Sequence, residues 1–189
     1  GGFDAGKNLK MAAQTYRSAG NDFWPGPLTN DGLVDEVTCA RWDRHFNVYG
    51  KDIKSHIDNF KKSFDPVSGE YKYDPNTIPA EIKGWPSRGN PYFNEINGFD
   101  LPDDNNGLAG FHDSGPDGLP DFIYNPKDGD YPVIEIRGCE LENYADQMIF
   151  WIYNDHGGGQ AHARTNGRAI QMEVQVQAFG YTTNDELND

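Results

Sequence analysis

The segment from Asp113 to Pro132 constrains this chain most, because it concentrates carboxylates on a backbone that can turn sharply. It reads DSGPDGLPDFIYNPKDGDYP, with five aspartates among glycines and prolines in twenty residues. Carboxylates held close together repel one another unless a cation lies between them. Short oxygen ligands on a turning backbone are what a hard cation such as Ca²⁺ requires. The segment therefore predicts a calcium site within an acidic loop region that spans residues 99–132.

We expect the ligands to come from both halves of this segment. They are the side chains of Asp113, Asp117, Asp121, Asp128 and Asp130, with a backbone carbonyl from Leu119. The first half departs from the D-x-[DN]-x-[DN]-G loop start, since Gly115 stands where a ligating Asp or Asn is expected and no Glu closes the loop. The alternative is a solvated turn cluster, in which Asp and Gly occur because they tolerate turn geometry.

Composition favours a mainly β protein. Apolar residues make up 36% of the 189 residues and the mean hydropathy is −0.79, so aliphatic side chains alone are few for a core. Aromatic residues, at 13%, bury far more area each and supply the rest. Twenty-two glycines and twelve prolines indicate many turns. We predict a single domain over residues 1–189, antiparallel and β-sandwich-like, with one short helix and long Gly/Pro/Asp-rich loops.

The net charge of −14 limits the partners of the chain. Nucleic acids and anionic membrane surfaces both need a basic footprint, so we exclude them as partners. The sequence also has no apolar run long enough to span a membrane, so we expect no direct membrane insertion. Divalent cations and neutral or basic ligands remain.

Cys39 and Cys139 lie far apart, and neither belongs to a C-x-x-C pair or a metal-ligand cluster. Their arrangement allows either one disulfide or two buried thiols. A bridge between them would close a loop of about a hundred residues and contribute roughly 4 to 5 kcal/mol in an oxidising compartment.

Hydrophobic patterns predict four regular elements. Residues 1–17 read as a hairpin, and apolar residues at helical spacing, from Ile53 to Phe64, predict an amphipathic helix near 52–64. The apolar run Gln147–Asn154 is typical of a strand buried on both faces. Strict alternation from Ile170 to Ala178 predicts a strand with one buried face. We expect these last two strands to pair antiparallel.

Phe23 and Trp24 lie in a loop with two prolines, and we expect them to anchor that loop to the body of the protein. A sugar-stacking platform is the alternative, for which Trp24, Trp85 or an exposed tyrosine are the candidates. The chain starts at Gly1 rather than at Met, so we expect a fragment of a longer protein.

No catalytic residue can be assigned from the sequence. The H-G-G-G run that starts at His156 resembles the oxyanion loop of esterases, but no G-x-S-x-G elbow accompanies it. His156 and His162 match no zinc-protease spacing. Thirty acidic residues contain many possible acid pairs for glycoside hydrolysis, and only their separation in space could select one.

Several separated blocks resemble large uncharacterised secreted proteins that gliding-type Gram-negative bacteria export by the type IX secretion system. The order of the blocks is kept over nearly the whole chain. They are Gly1–Asp4, Ala12–Arg17, Gly20–Leu28, Cys39–Asp43, Gly84–Pro86, Asp113–Gly118, Asp128–Pro132, Asp146–Trp151, Asn154–Asp155, Glu173–Tyr181 and Thr183–Asn188. This chain departs from the family at the aspartate loop, where Gly115 replaces the usual Asn.

The resemblance implies an internal fragment of an extracellular or outer-membrane surface protein. It implies an oxidising exterior, which favours the Cys39–Cys139 bridge, and millimolar calcium, which suits weak extracellular sites. We therefore predict a non-enzymatic structural or adhesive module, stabilised by calcium. Its expected partners are other parts of the same chain, neighbouring surface subunits and glycans. The alternatives are a secreted polysaccharide hydrolase and a carbohydrate-binding module.

Overall fold

The structure, a computed structural model, describes residues 1–13, 22–102, 107–115, 122–134, 145–156, 159, 161–163 and 165–182. Within these ranges the strands are β1 (Gly2–Phe3), β2 (Leu9–Lys10), β3 (Trp24–Pro25), β4 (Phe46–Tyr49), β5 (Phe64–Asp65), β6 (Glu70–Tyr71), β7 (Phe111–His112), β8 (Tyr131–Pro132), β9 (Gln147–Asn154) and β10 (Glu173–Gly180). The α-helices are α1 (Glu36–Trp42), α2 (Gly50–Lys62), α3 (Ala80–Lys83) and α4 (Phe93–Asn97). The predicted mostly β, antiparallel character is confirmed, and the sandwich arrangement stays a prediction.

The chain divides into two compact units. Unit 1 comprises Gly1–His45, Pro102–Asn106 and Trp151–Val176. Unit 2 comprises Phe46–Leu101, Gly107–Phe150 and Gln177–Asp189. The single domain over residues 1–189 stays a prediction, and each unit is described by itself.

Unit 1 begins with the predicted hairpin, in which β1 and β2 pair antiparallel. The turn between them is held by Asp4, whose carboxylate accepts the Asn8 backbone N–H at 2.8 Å. Helix α1 follows, and the Asp35 side chain caps it by accepting the Thr38 N–H at 2.7 Å. This hydrogen bond lowers the pKa of Asp35. The helix buries Cys39 and Trp42 against the unit.

Unit 2 is built on β4, which pairs antiparallel with the first half of β9 and places Phe46 opposite Phe150. Helix α2 packs beside it and is the helix predicted near 52–64. Its buried face carries Ile53, His56 and Phe60. Phe64 lies beyond the helix in β5 and is exposed, because the last helical turn ends at Lys62.

Strand β9 has its predicted bounds, β10 begins at Glu173 instead of the predicted Ile170, and the burial of both differs from the prediction. Backbone hydrogen bonds at both ends, from Asp155 N to Met172 O at 3.1 Å and from Asp146 N to Gly180 O at 2.9 Å, show that β9 and β10 run antiparallel. β9 alternates between buried and half-buried residues, so only one of its faces is sealed. β10 has no fully buried residue, because it lies at the end of its strand order.

Three further differences from the sequence-based expectations concern helices and loops. Besides the single predicted helix, the structure contains α1, α3 and α4. These helices are four to seven residues long, so their sequences carry little periodic signal. The acidic loop region predicted over residues 99–132 contains the short strands β7 and β8 within its described part. Trp85 is not an exposed platform: it is fully buried, and its Nε1–H donates to the Gly110 carbonyl at 3.1 Å.

We predict that Ile53→Ala lowers the free energy of unfolding by about 2–5 kcal/mol, because Ile53 is 0% exposed and its removal leaves a cavity under α2. Val67→Ala is the matched control, since Val67 is 94% exposed, and it should change stability by less than about 0.5 kcal/mol. Urea unfolding followed by circular dichroism measures both. Equal losses in the two variants would contradict the packing described for α2.

Candidate functional site

The acidic loop region contains the predicted calcium ligands. Three of the predicted calcium ligands, Asp117, Leu119 and Asp121, lie outside the described residues. Of the other three, Asp113 and Asp128 are exposed and Asp130 is buried. In the part of the chain that the structure describes, no group of three or more His, Cys, Asp or Glu side chains could hold a metal ion.

Asp130 joins two segments of this loop through its own side chain. Oδ1 accepts the Ser114 N–H at 2.9 Å, and Oδ2 accepts the Asn125 N–H at 2.9 Å. Ser114 follows Asp113, and Asn125 caps the short helical turn that contains Asp128. The Asp130 carboxylate therefore connects these two segments. Buried Asp130 therefore fixes the loop, and Asp113 and Asp128 are exposed residues beside it. One oxygen of each is already hydrogen-bonded: Asp113 Oδ1 accepts the Gly115 N–H at 3.0 Å, and Asp128 Oδ2 accepts from the Asn125 amide.

His56 supports the same place from α2. Its Nδ1 lies 2.9 Å from the Tyr73 hydroxyl, and its Nε2 lies 3.0 Å from the Asp130 carbonyl oxygen. Burial lowers the pKa of His56, so the ring is neutral at pH 7. Nε2–H then donates to the carbonyl, and Nδ1 accepts from the tyrosine. The sequence carried a signal for this residue, because His56 falls at helical spacing between Ile53 and Phe60.

Cys39 is a free thiol in the structure. Burial, followed by the charge of Asp35, raises its pKa to about 11, so it is not a nucleophile at neutral pH. Cys139 lies outside the described residues, and the bridge between the two cysteines stays a prediction.

His162 is buried, and both of its ring nitrogens face backbone carbonyls. Nδ1 lies 2.9 Å from the Met11 oxygen and Nε2 lies 2.6 Å from the Asp155 oxygen. Neither nitrogen has a lone pair directed at open space, so His162 is a structural residue rather than a metal ligand. Gly157 and Gly158 of the H-G-G-G run lie outside the described residues.

Unit 1 contains a groove whose walls are mostly aromatic. We call it the aromatic groove, and its volume is about 220 Å³. It is lined by Phe23, Trp24, Pro25, Trp42, Asp43, Arg44, His45, Trp151, Ile152 and Tyr153. Phe23, Trp24, Trp151 and Tyr153 are half-buried. Their rings therefore support one another while part of each remains accessible.

Strand β9 supplies one wall of the aromatic groove. Because side chains alternate along a strand, Trp151 and Tyr153 lie on the half-exposed face while Phe150 and Ile152 are buried. Phe23 meets Tyr153 edge to face, with ring centroids 5.6 Å apart. His45 meets Trp151 in the same way at 5.4 Å. These contacts fix the two β9 rings without covering them fully.

Gly26, which follows β3, connects β3 to β9 and lies against Trp42, one of the residues that line the groove. The Gly26 N–H donates to the Ile152 carbonyl at 2.9 Å, and the Asn154 amide donates to the Gly26 carbonyl at 2.9 Å. Gly26 has φ +100°, and a Cβ there would lie 3.0 Å from the Trp42 Cβ. Only glycine combines this backbone conformation with such close contact to α1.

The rim of the groove is polar. Asp43, Arg44 and His45 follow α1 directly and are all exposed. They offer an acid, a guanidinium and an imidazole beside the aromatic wall, which suits hydrogen bonding to hydroxyl-bearing ligands. Among the described residues that line the groove, Asp43 is the single carboxylate. Glycoside hydrolysis ordinarily uses two carboxyl groups.

No protein-family model, curated protein or solved structure matches this chain. Within the described residues, the structure contains no helix that has the length and apolar character to cross a membrane.

The lowered pKa of His56 gives a pH-dependent stability. The unfolded chain binds a proton at the ordinary histidine pKa near 6.5, and the folded chain binds it only at lower pH. Folding is therefore disfavoured as pH falls below about 6.5. We expect the free energy of unfolding to decrease from about pH 7 to about pH 5, and to decrease less in His56→Asn.

Exposed His45 provides the control, because His45→Asn should keep the full pH dependence. Urea melts at each pH measure all three proteins. If His56→Asn retained the wild-type pH dependence, another group would be responsible.

Proposed function

We propose that this chain is a non-catalytic adhesive module that binds glycans through the aromatic groove of unit 1. The observation that carries this proposal is the set of half-buried rings from β9 and β3 beside an exposed polar rim. Sugar rings have an apolar face of C–H groups and an edge of hydroxyls, so a ligand of this kind matches both surfaces of the groove. Its volume of about 220 Å³ suits a single sugar ring at the end or within a chain.

This proposal combines two expectations from the sequence: an adhesive module and, as the alternative, a carbohydrate-binding module. Trp24 is retained as a binding residue, while buried Trp85 is not. The hydrolase alternative receives no support from the groove, because Asp43 has no second carboxylate among the residues described there.

The cellular setting of the module is part of the same proposal. We infer an extracellular or outer-membrane location in a type IX-exported surface protein from the sequence blocks that resemble that family. Net charge −14 supports a partner that is neither a nucleic acid nor a membrane surface. Its expected protein partners are neighbouring surface subunits and other parts of a longer chain. The β-sandwich-like fold of the module is part of the same proposal.

Calcium at the acidic loop is likewise proposed. The support is that Asp130 ties the backbone beside Asp113 to the turn that carries Asp128, so exposed carboxylates lie on a fixed frame. Asp113, Asp128 and the predicted ligands Asp117, Leu119 and Asp121 would bind the ion. Asp130 would act mainly by holding the loop, because its carboxylate accepts the backbone N–H groups of Ser114 and Asn125.

We expect Trp151→Ala to weaken binding of neutral oligosaccharides about tenfold, because one of the two half-buried rings of the β9 wall is lost. Trp24→Ala should act in the same direction. Titration calorimetry with a panel of neutral oligosaccharides, preceded by a glycan-array survey, measures the effect. Near-native melting temperatures would show that the loss is local.

Phe122→Ala is the control for this experiment, because Phe122 is 77% exposed and does not line the groove. It should leave binding unchanged. The proposal is wrong if no neutral glycan binds, or if Phe122→Ala lowers affinity as much as Trp151→Ala.

For calcium, we expect the melting temperature to rise in millimolar Ca²⁺ relative to excess EGTA, since a ligand stabilises the state that binds it. Asp113→Asn should remove part of that rise and change little in EGTA. Asp130→Asn should lower stability in both conditions, because its oxygens hold two backbone N–H groups. An identical melting temperature with and without calcium would contradict the calcium site and favour the alternative, a solvated turn cluster.

A further inference from the structure

Unit 2 contains a second depression, which we call the lysine cleft. Its volume is about 640 Å³, within the range of small-molecule sites. It is lined by Gly50, Lys51, Lys54, Ile57, Asp58, Lys61, Ala145, Asp146, Tyr181 and Thr182. None of these residues lines the aromatic groove. The lysine cleft is therefore independent of the proposed function.

The lysines of the cleft come from one face of α2. Lys51, Lys54 and Lys61 span about 15 Å of helix axis at 1.5 Å per residue, and all three are exposed. Among the described residues, none of the three forms an ion pair within 4.0 Å. The helix holds four of the sixteen lysine and arginine residues of the chain but only two of its thirty acids, so it is locally basic on an acidic protein.

The start of α2 adds to this positive field. Tyr49, at the N-cap, makes no side-chain hydrogen bond to the first-turn N–H groups. Helix N-termini attract anions, and lysines there are unfavourable unless an anion is nearby. Lys51 and Lys54 stand in the first turns together with Asp52, and the Lys51 Nζ lies 5.6 Å from the centroid of the Tyr49 ring. A bound carboxylate would compensate both the lysines and the helix dipole.

Two acids oppose the three lysines of the cleft. The Asp146 carboxylate accepts the Thr182 backbone N–H, and this hydrogen bond lowers the pKa of Asp146 and keeps it ionised. Asp58 lies between Lys54 and Lys61 on the helix surface and is the second opposing charge, so the lining keeps an excess of one positive charge. At physiological salt the Debye length is about 8 Å, so a ligand in the cleft is largely screened from acids elsewhere on the protein.

Tyr181 gives the cleft an aromatic side chain that is 42% exposed. We propose that the lysine cleft binds a short carboxylated oligosaccharide, with uronate carboxylates on Lys54 and Lys61 and a sugar ring against Tyr181. A short ligand fits because a long polyanion would extend beyond the basic helix onto the acidic remainder of the chain.

The test compares tri-galacturonate with neutral galactotriose by titration calorimetry at about 150 mM salt. We expect the acidic trisaccharide to bind, and Lys54→Gln/Lys61→Gln to weaken it about fivefold to tenfold. Lys62→Gln is the matched control, since Lys62 lies on the same helix but does not line the cleft. Tyr181→Phe should keep the affinity, and Tyr181→Ala should lower it about fivefold.

Three results would overturn this assignment. The first is absence of tri-galacturonate binding, and the second is an equal loss in Lys62→Gln, which would indicate unspecific attraction. The third is tighter binding of a penta-aspartate peptide, which would assign the cleft to acidic peptides. Trp151→Ala should leave this affinity unchanged, so failure of the lysine cleft and failure of the aromatic groove are distinguishable.

Discussion

The alternation of side chains along β9 is the constraint on which the rest of the structure depends. Its inward residues Met148, Phe150 and Ile152 are almost completely buried, and its outward residues include Trp151 and Tyr153. β4 pairs with its beginning and β3 with its end, which fixes the register. A slip of one residue would bury the two groove rings and expose Phe150 and Ile152. Core packing and the proposed binding surface are thus set by one register.

Three buried aspartates accept backbone N–H groups of irregular segments, as carbonyl groups of neighbouring strands do in a sheet. Asp22 accepts the backbone N–H groups of Ala13 and Ala163, at 3.0 and 2.7 Å. Asp155 accepts those of Ile170 and Met172, at 2.9 and 2.7 Å. Asp130 joins Ser114 to Asn125 in the same way. Each carboxylate satisfies two donors that irregular loops would otherwise leave unpaired, so part of the acidic composition stabilises loops directly.

The two candidate sites differ in chemistry because they are assembled from different kinds of element. The aromatic groove joins one face of a strand to the residues that follow α1, and it offers rings with a mixed polar rim. The lysine cleft uses one face of α2, whose repeat brings Lys51, Lys54 and Lys61 together. Neutral sugar rings suit the first surface and carboxylated sugars the second.

Strong local patterns were enough to predict the first hairpin, α2 and the antiparallel pairing of β9 with β10. Periodicity reports which residues share a face, and the spacing of His56 between Ile53 and Phe60 is the signal for its place on the buried face of α2. How deeply each face is buried depends on tertiary packing. It sealed Trp85, left Trp24 and Trp151 accessible, and left β10 without a fully buried residue. Burial depends on neighbours distant in sequence, such as α1 beside Gly26, and no local pattern encodes those contacts.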